Sequence, residues 1–138
     1  MSVGIKVKYY WFQVGSASFF YSFFSTIAVN LEEKQWGSLY PKIMNDFYQG
    51  HLLYKDVKTA LEELNLIERG LRRMPTSRVI WDFDDLSKRP PWGDNISPSI
   101  TNLADYFVTS DGERLFTVLV HALEKAQDLK EDVKIENL

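Results

Sequence analysis

At 138 residues the chain is expected to form one domain, 1–138, long enough to bury a sizeable core. The absence of cysteine excludes disulfides and thiolate metal sites. Sixteen basic against 19 acidic residues, a net charge of −3, leave no basic footprint for direct nucleic-acid binding or for an anionic membrane.

In VGIKVKYYWFQ, Val3, Ile5, Val7, Tyr9 and Trp11 alternate with Gly4, Lys6 and Lys8. That period of two predicts one strand over residues 3–13, with Tyr10 and Phe12 making its far end apolar on both faces. After Gly15, Ser16 or Ser18 can cap a helix in which Phe19, Phe20, Phe23, Phe24, Ile27, Ala28 and Leu31 recur at helical spacing. Ser18, Ser22 and Ser25 line its opposite edge. The run ASFFYSFFSTIAV within it is shorter than the ~20 residues of a membrane span and lacks the pattern of a signal peptide. The expected compartment is the cytoplasm.

Ser38 can cap a short helix with Pro41 in its first turn and Ile43, Met44 and Phe47 on its apolar side. From about Lys55 a longer helix carries Val57, Leu61, Leu64, Ile67 and Leu71, ended by Gly70 and Pro75. The apolar residues Val79, Ile80 and Trp81 predict a strand over 78–83, followed by a Pro- and Gly-punctuated irregular segment. NLADYFV is short and amphipathic, part helix and part strand. Ser110 and Glu113 then form a capping box before a last helix whose buried stripe is Leu115, Phe116, Leu119, Ala122, Leu123 and Ala126. DVKIEN, at 132–137, can add an edge strand. The fold class is α+β, with two to four strands packed against four or five helices. The expected sheet pairs 3–13 with 78–83 and part of 105–109.

Two stretches carry chemistry worth weighing. In RVIWDFDDL, an apolar run ending in Asp-x-Asp is how haloacid-dehalogenase-like phosphotransferases present a nucleophilic carboxylate beside a second acid and Mg²⁺. The positions that should hold Gly and then Thr or Val hold Asp85 and Leu86, and the βαβαβ alternation of such enzymes is absent. Asp82, Asp84, Asp85 and Asp94 lack the ligand spacing of a calcium loop, so no metal is assigned to them. His51 and His121 have no partner arranged for a nucleophile–base pair. No cofactor is called for.

In RPPWGDNIS, Trp92 is held among Lys88, Arg89 and Asp94 in a loop stiffened by Pro and Gly, the setting of an interface anchor or of a staple that pins the loop to the core. Trp36 and Tyr40, in QWGSLY, pose the same choice.

PPWGDNISPSITNLADYF, VTSDGERLF and VLVHALEKA, together with the earlier QWGSLYPKIMNDFYQG, resemble the immunity protein 70 family of bacterial polymorphic-toxin systems. The resemblance runs from about Trp36 to Ala126. It implies a non-enzymatic cytoplasmic antitoxin that binds the C-terminal toxin domain of a secreted toxin, the LXG class being one option, and occludes its active site or substrate path. Against a nuclease toxin, Asp82, Asp84, Asp85 and Asp94 would steer encounter and mimic phosphate while Trp92 anchors the contact. The Trp36 and Tyr40 region is a second candidate surface, and the oligomeric state stays open. The alternatives are an interaction module with another protein partner and, more remotely, the Mg²⁺-dependent phosphotransferase.

Overall fold

In the computed structural model, which describes residues 2–138, the alternation at the start of the chain is cut by a turn. β1 (Val3–Val7) and β2 (Tyr10–Gly15) form an antiparallel hairpin across Lys8 and Tyr9, with Lys8 at φ 55°. One expected strand is therefore two. Val7 pairs with Tyr10 and Ile5 with Phe12, so those side chains share the inner face. Trp11, expected beside Val7, lands on the outer face, where a Cβ at Gly4 would sit 2.2 Å from its indole. Only glycine lets the ring lie flat there.

The sheet is four-stranded and antiparallel, in the order β2-β1-β4-β3, with β3 His51–Leu52 and β4 Val133–Asn137. The C-terminal strand, expected at an edge, is paired on both sides. Residues 78–83 and 105–109, expected as sheet partners, lie outside it, and Val108 makes only an isolated bridge to Arg114.

Helices pack on this sheet, which gives, among the described residues, an α+β architecture of four strands, four α-helices, a π-helical segment and two 3-10 turns. In α1 (Ala17–Leu31) the Ser16 hydroxyl caps by accepting the Phe19 N–H at 3.1 Å. Its Phe stripe is core: Phe23 meets Phe24, Phe107 and Phe116 edge-on, with ring centroids 5.3–5.4 Å apart. Val57, Leu64, Ile67 and Leu71 of α2 (Val57–Arg72) are buried as their spacing predicts. Gly70 lies within that helix rather than ending it, and Leu31 of α1 packs into the space its missing side chain leaves. The stripe of α4 (Leu115–Leu129) is buried at all six expected positions.

Two helix starts differ from expectation. The Ser110–Glu113 pair is no capping box, because residues 109–113 close a turn: Thr109 N–H donates to the Glu113 carbonyl at 2.7 Å, and the Thr109 hydroxyl accepts the Glu113 N–H at 3.0 Å. α4 starts after Arg114 without a side-chain cap. Likewise Ser38 caps nothing. The π-helical segment Lys42–Phe47 is reached through backbone N–H groups held by two carboxylates, Glu32 a few residues upstream and Glu63 of α2. Glu32, only 2% exposed, accepts from Gly37, Leu39 and Tyr40 at 2.9–3.0 Å. Glu63 of α2 accepts from Ile43 at 2.9 Å and Lys42 at 3.3 Å. Burial pushes the Glu63 carboxyl up, against those two hydrogen bonds.

α3 (Leu103–Tyr106) is capped by Asn102, whose side chain also donates to Asp105. Asp105 and Glu68 share Arg114 and Arg72, tying α2, α3 and the start of α4 together. Burial alone would raise the Asp105 carboxyl, but the Asn102 amide and the two guanidiniums outweigh it and hold it below its ordinary 3.8. A depressed carboxylate stabilises the fold above its unfolded pKa, and that contribution is lost as pH falls through the folded value. Asp105→Asn should therefore be less stable than wild type near neutrality, with the gap closing below about pH 4. Urea midpoints measured from about pH 3 to 7 check this; a pH-independent gap would assign the loss to packing instead.

Candidate functional site

The acidic stretch singled out in the sequence is an irregular segment laid along α1, without sheet partners. At Ile80 and Phe83 its backbone is held by hydroxyls of the helix. Thr26 Oγ1 accepts the Ile80 N–H at 3.0 Å, and the Ile80 carbonyl accepts from Ser22 at 2.7 Å and Thr26 at 3.1 Å. The Ser25 hydroxyl accepts the Phe83 N–H at 3.1 Å, and the Asn30 amide donates to the Arg78 carbonyl at 2.9 Å. Ser22, Ser25 and Thr26 are at most 1% exposed. The helix edge opposite the Phe stripe is thus a rail for residues 78–83, and the expected strand does not form because the rail has taken its backbone groups. One signal could have revealed this: α1 contains no charged residue, and a helix with no charged face is buried on both sides.

Beyond the rail the acids diverge. Asp82 accepts the Asp84 N–H at 2.8 Å and faces the Lys88 ammonium at 3.4 Å. Asp84 accepts the Tyr21 hydroxyl at 2.7 Å. Asp85 accepts the Ser87 hydroxyl and N–H at 2.6 and 3.1 Å, which hold its carboxyl below the ordinary range. Asp94 is exposed further along the loop. These acids follow no strand, so the element that would present a phosphotransferase nucleophile is missing. Among the described residues no group of three or more His, Asp or Glu is placed to hold a metal ion.

Trp36 joins this segment from far away in sequence. Its ring meets Phe83 edge-on at 5.2 Å and packs with Tyr48 and Tyr21, while its indole N–H donates to the Met44 carbonyl. Tyr40 goes elsewhere: it sits by Glu32 and Glu63, and burial followed by those two charges pushes its hydroxyl up. Trp92 meets Trp81 edge-on at 5.4 Å and donates from its indole to the Tyr106 hydroxyl at 2.8 Å. It therefore pins its loop, yet 37% of it remains exposed. The loop stands between two grooves that share Ile96 and Tyr106. One, about 370 Å³, runs past Trp92, Phe19 and Ile100; the other, about 590 Å³, past Arg89, Asp94 and Thr76.

The arrangement is a surface ridge of rings and carboxylates. Trp36 meets Phe83 and Tyr21, Tyr21 meets Asp84, and Trp81 with Trp92 forms a second pair next along the chain. Tyr21 and Tyr48 belong to the same cluster and were missed, because their place depends on contacts between elements. Among the described residues no helix is long and apolar enough to cross a membrane.

The family model described as immunity protein 70 matches residues 5–135, from β1 into β4 and beyond the Trp36–Ala126 stretch that carried the resemblance. No curated protein and no solved structure matches the chain.

Proposed function

The chain belongs to the immunity protein 70 family, immunity proteins of toxin systems, and on that premise we propose that it binds the C-terminal toxin domain of a cognate polymorphic toxin and neutralises it by covering the active site. The family match is the observation that carries this reading. The producing cell's cytoplasm is where it would act.

The face we assign to the toxin is the ridge of Trp36, Asp82, Asp84, Asp85, Trp92 and Asp94, with Tyr40 at most peripheral. Two features support that choice. The ridge joins partly exposed aromatic rings to carboxylates, the mixture found at protein–protein hot spots with a charged rim. The backbone at Ile80 and Phe83, which leads into it, is also fixed in advance by Ser22, Ser25 and Thr26, so docking need not order that part. A nuclease toxin, whose cleft is basic, would suit the acidic rim. A specific contact here would bury roughly 1,600 Å² in total.

The test is calorimetric titration of the protein into the inactivated toxin domain encoded by the adjacent gene, paired with co-expression of the active toxin. One-to-one binding and relief of toxicity are expected; a folded cognate domain that does not bind would turn the reading to a scaffold with another partner. Trp92→Ala should weaken binding by about 2 kcal/mol or more if the ring is central. Asp85→Asn with Asp94→Asn should mainly slow association and reduce its salt dependence, as rim charges do. Unchanged affinity in folded Trp92→Ala would move the interface away from this ridge.

A further inference from the structure

An apolar groove of about 300 Å³ lies where α1 meets the sheet, lined by Val3, Phe20, Tyr21, Phe24, Tyr48 and Ile135. The Tyr21 and Tyr48 rings are 6.2 Å apart and tilted by 38°, and Trp36 packs against both at 5.9 and 4.9 Å. Asp84 lies outside this lining, past the tip of Tyr21, where it accepts the Tyr21 hydroxyl at 2.7 Å. Among the described residues Asp84 has no ion pair, whereas its neighbour Asp82 is matched by Lys88. Both tyrosine hydroxyls are pushed up, by burial first and with the Asp84 carboxylate contributing to each.

Hydrocarbon floor, aromatic faces and one unneutralised carboxylate together favour a cation on a long apolar stem. The volume is at the lower end of small-molecule sites and suits a single side chain. A planar group needs about 3.5 Å of contact distance on each side. Rings 6.2 Å apart leave no room between them, so the occupant lies across both. Among cations, guanidinium is the flat and weakly hydrated one that stacks on rings and pairs with a carboxylate through two N–H groups.

We infer that this groove seats an arginine side chain of the toxin domain, its stem on Phe20 and Ile135, its guanidinium across the Tyr21 and Tyr48 rings and hydrogen-bonded to Asp84. The inference rests on the toxin-binding reading and adds to it the chemistry of one partner residue.

Two measurements separate it from that reading. In the toxin titration, Asp84→Asn, which still accepts from Tyr21, and Tyr48→Ser should each lower affinity about tenfold or more, with melting curves to show that both fold. If wild type binds and Trp92→Ala weakens binding while these two variants bind like wild type, the groove assignment is overturned and the toxin reading stands. If wild type does not bind the toxin domain, a probe decides: acetyl-Leu-Arg-Leu-amide titrated into the protein and followed by NMR. Shifts of the Tyr48 ring and Trp36 indole signals, absent with the citrulline and lysine versions of the peptide, would keep the arginine seat and overturn the toxin as its source. Equal shifts with citrulline or lysine, or none with any peptide, would overturn the arginine assignment itself.

Discussion

Glu32→Ala is expected to lower the stability of the fold by about 3 kcal/mol or more, a large share of the roughly 5–15 kcal/mol that holds a domain together. The Glu32 carboxylate accepts three backbone N–H groups, from Gly37, Leu39 and Tyr40, at a site 2% exposed. Each donor left without a partner in such a place costs about 1–3 kcal/mol, reduced where water can reach it. Alanine removes all three bonds at once. Glu32→Gln keeps one acceptor oxygen and should fall between. Neighbouring Glu33 is exposed, so Glu33→Ala should stay within about 0.5 kcal/mol of wild type. Chemical denaturation measures these differences. Trp36 fluorescence reports the local change, since its indole is tied to Met44 in the segment that Glu32 and Glu63 hold. A loss under about 1 kcal/mol would mean that the 37–40 loop closes without the carboxylate.

The second large effect concerns the rail. Thr26→Val keeps the shape of the side chain but removes the acceptor for the Ile80 N–H and one donor to its carbonyl. Adding Ser22→Ala and Ser25→Ala removes the remaining hydroxyl bonds to Ile80 and Phe83. Thr26→Val alone should cost about 1–3 kcal/mol, and the triple variant about 3–4 kcal/mol if residues 78–83 stay docked. If they lift off, the loss is smaller and the Ile80 and Phe83 amides lose hydrogen-exchange protection to the same extent. Where they lift off, affinity for the proposed toxin partner should fall as well, because binding would then have to order a segment that wild type presents ready-made. Full protection and full affinity in a folded triple variant would show that packing of Trp81 and Phe83 alone fixes the ridge.

The two effects share a cause. In both places the chain turns its backbone toward a side chain outside the segment: Glu32 and Glu63 for residues 37–43, and α1 hydroxyls for 78–83. Sequence patterning sees a capping residue only when it is adjacent, so Ser38 and the Ser110–Glu113 pair were natural expectations. The carboxylates that serve residues 37–43 are in α2 and just past α1. The hairpin turn at Lys8 escaped detection for a related reason. The turn carries neither Gly nor Asn, and an apolar alternation continues through it on paper while the chain reverses in space.

Periodicity within one element is a local property. The amino-acid sequence therefore determined by itself which faces of α1, α2 and α4 are core, that the fold is α+β, and, through the QWGSLY and PPWGD to VLVHALEKA blocks, the family. What meets what is not local. Only the tertiary structure decided that β4 lies between β1 and β3, that the VIWDFDD segment lies on helix hydroxyls in place of a strand partner, and that Trp36, Tyr21 and Tyr48 gather around Phe83 and Asp84. An apolar run such as Val79-Ile80-Trp81 requires burial and backbone hydrogen bonds but does not specify their source; here the source is a helix more than fifty residues away in the chain.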